Sequence, residues 1–269
     1  MSLKRVPNHE TIEGVTILHD LTKEVSALSY IAFKVIDMQA LSSYMNKTIL
    51  QEVCIVVLQG EVTVRVEDQI YANIGKRHSV FDRIPTDSVY IGNNHSYEII
   101  SNTVARVALC YAYSDRNLPS RMIAAKDNSI EERGKFNNRR IVHNILPDTV
   151  DYAQNLLVVE VYTDGGNFSS YPPHKHDQNN LPEESLLEEI YYHEISPPQG
   201  FVFQRVYTED RSIDETMSVE NKEVVLVPKG YHPVGVPDGY TSYYLNIMAG
   251  PVRIWKFHND KHHDWILSR

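Results

Sequence analysis

Along the chain, apolar residues fall into short runs of Val, Ile, Leu and Tyr, and few windows keep a 3.6-residue period over three turns. The clearest runs are 53–58, 61–66, 104–112, 156–162, 201–207, 223–227 and 242–248, separated by turn residues. Short strands at this spacing predict an all-β protein of sandwich or barrel type with few short helices. One stretch breaks the rhythm. Residues 115–139 are polar and charged and contain Pro119 and Gly134, so they read as a connector between two β units. The expected division is 1–130 and 131–269.

The two parts echo one another. In the first, a strand, a turn at Gly60, a second strand, a segment around Pro85 and a late His95 follow in order. In the second, the order repeats with Gly200, Pro228 and His232. Two copies of one β-barrel unit account for both the length and the rhythm.

Composition narrows the class. At 269 residues with 42% hydrophobic content the chain can bury large cores, which excludes general disorder. Its 26 Lys+Arg against 35 Asp+Glu leave a formal charge of -9, the wrong sign for a protein held by nucleic-acid phosphates or an anionic membrane. The N-terminus shows no apolar signal segment and no stretch approaches a membrane span, so the sequence reads as cytoplasmic. Cys54 and Cys110 lie in apolar runs and read as small buried hydrophobes. Twelve histidines against two cysteines exclude cysteine-based zinc fingers but leave imidazole chemistry open.

The strongest chemical signal is Pro172-Pro173-His174-Lys175-His176-Asp177. Residues two apart on a strand share a face, so His174 and His176 can present two imidazoles to one ion while Lys175 points away. Further on, Glu188-Glu189 enters the run Ile190-Tyr191-Tyr192, where one carboxylate can turn inward; an amphipathic helix over 185–193 with both carboxylates solvated is the competing reading. A strand then ends in Val227-Pro228-Lys229-Gly230-Tyr231-His232, whose Pro/Gly turn aims a third imidazole. Three imidazoles and a carboxylate suit one divalent ion of Zn, Mn, Fe or Ni with positions open for substrate, and no organic cofactor is expected.

This constellation resembles the cupin superfamily, whose motifs carry His-x-His with a Glu and then Pro-x-Gly with a His. The Glu departs from that pattern, lying 13 positions after His176 (189 minus 176), so 177–188 would be an inserted loop. A longer match is more specific. The segments LLVVEVYTDGGNFSSYPPHKHD, EEIYYHEISPPQGFVFQRVYT, VVLVPKGYHPV and YYLNIMAGPVRIWKFHND, the terminal HHDWI, and the pattern Arg133-Gly134, Asn137, Arg139-Arg140, Val142-His143 resemble together the 5-deoxy-glucuronate isomerase family of bacterial inositol catabolism. The resemblance implies a bicupin of two jelly-roll barrels with metal in the second alone. The implied ligands are His174, His176, Glu189 and His232, Glu189 being preferred to Glu188 because it directly precedes the aromatic strand.

The implied reaction is a metal-dependent aldose–ketose isomerisation of 5-deoxy-glucuronate to 2-deoxy-5-keto-gluconate. Glu188, Asp177 and Tyr207 are candidates for moving the proton, with a metal-mediated hydride transfer as the alternative. Arg205, in FVFQRVY, is a candidate for the substrate carboxylate if Phe203, Arg205 and Tyr207 point inward, the opposite parity being open. Tyr244 and Asn246 are candidates to line the cavity. The expected partner is a small deoxy-uronic acid, and a homo-oligomer is left open. The related 4-deoxy-5-ketouronate isomerases of pectin breakdown and a non-catalytic sugar-binding cupin are the competing readings. His95 occupies the echo position of His232, but its half lacks His-x-His, so a degenerate barrel without metal is expected there.

Overall fold

A computed structural model describes residues 2–269. Their backbone groups into two units, one comprising Pro7–Ser129 and Asn144–Val158, the other Ile130–His143, Val159–Arg269 and the segment ending at Val6. The division is not a single cut of the chain, because the segment before Pro7 groups with the later residues and Asn144–Val158 with the earlier ones.

Each unit carries most of one seven-stranded sheet together with a four-stranded one. In the first, the larger sheet runs Arg121–Ile123, Ser88–Ile91, Gln51–Gln59, Ala105–Tyr113, Ile31–Met38, Val15–Leu21, Glu10–Ile12, and the smaller Ser43–Lys47, Ser96–Ser101, Val62–Val66, Gln69–Ile74. In the second, the larger sheet runs Lys4–Arg5, Val224–Val227, Glu188–Ser196, Thr241–Ala249, Leu157–Asp164, Arg140–Leu146, Ser129–Arg133, and the smaller Phe168–Ser169, Val234–Gly235, Phe201–Tyr207, Asp214–Glu220. The two orders correspond strand for strand, which is the structural content of the echo. Gly60 and Gly200 each precede the strand that opens the smaller sheet's hairpin, and His95 and His232 each precede a matching strand of that sheet.

The connector expected over 115–139 is not wholly irregular. Arg121–Ile123 and Ser129–Arg133 form edge strands, one in each larger sheet. Edge strands are half solvated, so polar sequence such as Ser129-Ile130-Glu131-Glu132-Arg133 does not announce them. The helical alternative over 185–193 is replaced by strands Glu184–Leu186 and Glu188–Ser196.

What differs between the units is the filling. The inward positions of Gln51–Gln59 are Val53, Ile55 and Val57, packed with Val62, Val64, Ile99, Val107 and Leu109 into one apolar cluster. Cys54 and Cys110 stand opposite each other on neighbouring strands, buried and unbridged. On the equivalent strand of the second unit the alternating positions are Glu189, Tyr191 and His193, set against Met248, Asn246 and Tyr244 of Thr241–Ala249. One barrel is filled with hydrocarbon; the other carries titratable and hydrogen-bonding groups on its inner face. Among the described residues no helix is long and apolar enough to cross a membrane.

Candidate metal and substrate site

His176, Glu189 and His232, all buried, bring one ligand atom each within 4.8 Å of one another. His176 Nε2 lies 3.2 Å and His232 Nε2 3.1 Å from the same oxygen, Glu189 Oε2. His174 stands beside them, its ring centroid 5.0 Å from that of His232 and 6.3 Å from that of His176, and its other face packs on Phe257 at 4.6 Å.

The tautomers follow from the carbonyls behind the rings. His176 Nδ1 is 3.0 Å from Leu187 O and His232 Nδ1 is 2.8 Å from Gly230 O. A carbonyl only accepts, so each Nδ1 carries the hydrogen and, in the neutral ring, each Nε2 keeps its lone pair. His232 Nε2 has no hydrogen-bond partner among the described residues. Two nitrogen lone pairs and a carboxylate oxygen thus converge at about 3 Å, an arrangement that repels unless positive charge stands among them. A proton relieves one pair; a divalent cation relieves all three. Three buried groups of this type, with ring orientation fixed from behind, fit a borderline divalent ion.

Electrostatics agree with that donor set. Burial opposes ionisation of Glu189, but His232 and His176 outweigh it and bring its pKa to about 2. Burial pushes His174 well below the usual imidazole range, and His232 and His176 push it further, so it stays a neutral donor. For His176, burial is outweighed by the bond and charge of Glu189, which favour positive charge at its Nε2.

The turn that presents His232 is tied to the His-x-His segment. Gly230 has φ +96°, and a side chain there would meet Tyr207 O at 2.6 Å, so the sharp reversal requires glycine. Its N–H donates to Asp177 Oδ2 at 2.8 Å, while Asp177 Oδ1 accepts from Lys175 Nζ at 2.7 Å. Lys175 points away from the cluster, as the strand parity predicts, and its buried ammonium also donates to both oxygens of Glu184 at 3.0 Å. The inserted loop is therefore a hairpin, Asp177–Asn180 against Glu184–Leu186, whose carboxylate clamps the lysine between the two histidines. Lys175→Met should leave two facing carboxylates unneutralised and loosen the segment, weakening metal binding about 10- to 100-fold in a competition titration.

Several sequence expectations are corrected by position. Arg205 lies on the outer side of its strand, its side chain 42% exposed and its guanidinium bound to both oxygens of Asp214 at 2.8 Å. The inward residue is Gln204, fully buried and bonded to His193 Nε2 at 3.0 Å. Parity reverses here because Gln204 finds its partner inside while Phe201 and Phe203 remain partly or largely exposed. Asp177 has both oxygens engaged, and Lys175 holds it below the carboxylate range against the effect of burial. Tyr207 donates to Asp260 Oδ2 at 2.8 Å, and burial pushes its phenol up. Glu188 sits on the face of its strand opposite Glu189, set against Ala249. None of Glu188, Asp177, Tyr207 and Arg205 lines the cavity at the cluster.

Tyr244 and Asn246 do. A small cavity of about 30 Å³ is lined by His174, Glu189, Tyr191, Tyr244, Asn246 and Arg140, with Ser170 and Trp255 at its wall. Tyr191 shares a hydrogen bond with Ser170 at 2.9 Å, and its ring lies 4.9 Å from that of Tyr244. A larger cavity of about 380 Å³ shares His174 and Arg140 with the small one and opens between Tyr171, Phe257 and the C-terminal turn Asp264–Ser268. Arg140, Tyr191 and Ser170 were not singled out from sequence. Arg140 sits in the Arg139-Arg140 pair, and nothing local distinguishes it from a solvated arginine.

Comparison with known proteins extends these observations. The profile of the KduI/IolB family matches residues 5–266. The chain is 61% identical over 267 residues to the 5-deoxy-glucuronate isomerase of Bacillus subtilis subsp. natto, covering 99% of this chain and 98% of the relative. It is 58% identical over 268 residues to the enzyme of the same name from Listeria monocytogenes serotype 4b, at the same coverage. Among solved structures, an IolB-like protein of Salmonella typhimurium LT2 superposes with a TM-score of 0.95 at 42% identity, covering 99% of this chain and 100% of that one. Oxalate decarboxylase of Lactobacillus farciminis, in a formate complex, superposes with a TM-score of 0.71 at 12% identity over 100% of this chain and 91% of that one, a likeness of fold: the all-β bicupin class expected from the sequence.

Proposed function

The chain belongs to the KduI/IolB family, and on that premise we propose that it is a 5-deoxy-glucuronate isomerase, a metal-dependent aldose–ketose isomerase yielding 2-deoxy-5-keto-gluconate. The observation that carries metal dependence is the convergence of His176 Nε2 and His232 Nε2 on Glu189 Oε2. His174, His176, Glu189 and His232 would hold the ion. When bound, it supplies Lewis acidity at the substrate's carbonyl and neighbouring hydroxyl, contributing several kcal/mol to lowering the barrier.

The remaining residues define what the protein itself does. Apolar and aromatic side chains, Val142, Val161, Trp255 and Phe257, wall the two cavities and exclude water from the reacting carbons. Burial holds the phenols of Tyr191 and Tyr244 protonated, so they donate hydrogen bonds to substrate oxygens instead of acting as bases. Among the described residues Glu189 is the one carboxylate lining either cavity, and its Oε2 is taken up by the imidazoles. This scarcity of bases favours a direct shift of hydrogen from carbon 2 to carbon 1, with the carbon 2 hydroxyl proton passing to the carbon 1 oxygen.

The test is conversion of 5-deoxy-glucuronate followed by NMR, in D₂O, with and without chelator. Carbonyl migration that stops on chelation and resumes on adding a divalent ion is expected, with little solvent deuterium in the product. No conversion by metal-replete protein, or preferential turnover of 4-deoxy-5-ketouronate, overturns the assignment; one solvent deuteron in each new methylene overturns the direct shift alone.

A further inference from the structure

An aldose that ends in a carboxylate brings two chemically distinct ends into the barrel, and the metal cluster accounts for one of them. With Arg205 facing outward, the other end needs a different cation. Four basic side chains line the two cavities. Arg133 is paired with Glu131 at 2.8 Å and lies over the Trp255 ring at 5.3 Å. Lys135 and Arg269 are exposed at the outer rim, Arg269 lying over Phe136 at 5.5 Å.

Arg140 is different. It lines the small cavity at the cluster and the larger one beside it, the only residue besides His174 to do so. Its Nη1 donates to two carbonyls, Asn138 O at 3.0 Å and Tyr171 O at 3.4 Å, which orient the guanidinium without neutralising it. Among the described residues no carboxylate pairs with it. A half-buried guanidinium left without an anion is costly, since burial disfavours its charge, and the cost is recovered when an anion enters. A second unmatched donor lies in the same small cavity, where Asn246 Nδ2 is buried with no hydrogen-bond partner.

We propose that Arg140 is the residue that recognises the terminal carboxylate of the uronate substrate, gripping it with its free guanidinium edge so that the aldehyde end lies against the His/Glu cluster. The proposal rests on the isomerase reading given above and adds the determinant of its specificity for acidic sugars. A planar fork held by backbone carbonyls matches a carboxylate in two parallel bonds, which a lysine cannot reproduce. Arg140 is on this reading a substrate-binding residue, and its loss falls on KM and on discrimination between acidic and neutral sugars, not on the metal.

Wild type, Arg140→Met and Arg140→Lys would each be assayed with 5-deoxy-glucuronate and with the neutral 5-deoxy aldose in which carbon 6 is a hydroxymethyl group instead of a carboxylate, with metal content measured alongside. Wild type should prefer the acid. Arg140→Met should lose about 100-fold in kcat/KM toward the acid, mostly through KM, and far less toward the neutral sugar, so that the preference for the acid collapses while metal content per chain holds. Arg140→Lys, which keeps charge and bulk, should recover only part of the preference, and Arg205→Met, outside the cavity, should show none of the loss. A wild type inactive on 5-deoxy-glucuronate sinks the isomerase reading. An active wild type whose preference for the acid survives in Arg140→Met, or in Arg140→Lys should the methionine variant not fold, sinks the role of Arg140 and leaves the isomerase reading standing.

Discussion

Glu189→Gln is expected to yield a folded protein that has lost its metal and its turnover together. The carboxylate oxygen Oε2 is the point on which both Nε2 lone pairs converge, at 3.2 and 3.1 Å, and it is the only anionic member of the set. Glutamine offers a neutral oxygen in its place, and its amide can turn an N–H toward an imidazole lone pair. The repulsion that calls for a cation is then relieved by a hydrogen bond, so the apo fold is maintained while the affinity collapses. On the proposed reading, in which the ion carries the largest electrostatic share of the catalysis, bound metal should fall from about one ion per chain to below about a tenth, and kcat/KM by roughly a thousandfold or more. Thermal stability makes an independent readout. Free metal at 100 times its Kd stabilises wild type by about 2.7 kcal/mol through mass action, and Glu189→Gln should show no such response. Retention of stoichiometric metal in Glu189→Gln would place the centre elsewhere.

The proposed ligand set was legible because residue types suited to a metal leave marks that survive in one dimension. His-x-His on a strand and a His delivered by a Pro/Gly turn are local patterns, and the structure brings His176, Glu189 and His232 together with His174 at their side. The choice between Glu188 and Glu189 is a matter of strand parity, and here Glu189 shares its face with Tyr191, opposite Asn246. Parity misleads in FVFQRVY, where Val202 and Val206 share the inner face with a polar residue and the larger Phe203 stands outside. Gln204 is sequestered by His193 at 3.0 Å, whereas Phe203 is 51% exposed and Arg205 finds Asp214 outside. A buried polar pair satisfied across two strands leaves no trace in the order of residues along either one. Arg140 was hidden for a related reason: what distinguishes it from Arg139 is the pair of carbonyls that hold it, Asn138 O close by and Tyr171 O from a segment 31 positions away, and the missing anion.

The fold's general plan was legible from strand rhythm and echo, but its polar anchors were not. Glu52 is the sharpest case. It opens the run Glu52-Val53-Cys54-Ile55, where a charged residue at the end of an apolar stretch reads as the solvated edge of a strand. In the structure it is fully buried.

Glu52→Ala should therefore be among the most destabilising single substitutions in the chain. Glu52 Oε1 accepts the backbone N–H groups of Asn155 and Leu156, each at 2.7 Å, and Oε2 accepts Gln154 N–H at 2.8 Å and the Tyr90 hydroxyl at 2.6 Å. All belong to the same unit, where this carboxylate fastens the segment Asn144–Val158 to the strand Gln51–Gln59. Removing it takes the acceptor from three backbone donors and a phenol, and each buried hydrogen bond lost costs about 1 kcal/mol or more. A total loss of about 3–5 kcal/mol is expected, seen as a drop of roughly 10 °C in the transition that includes this unit. Glu52→Gln should recover little, since its NH₂ group faces donors that need an acceptor. Below the transition, metal content per chain should match wild type, because the cluster lies in the other unit. A loss under about 1 kcal/mol in urea titration would mean that solvent or a rearranged backbone replaces the carboxylate, and that the segment is held by its apolar contacts alone.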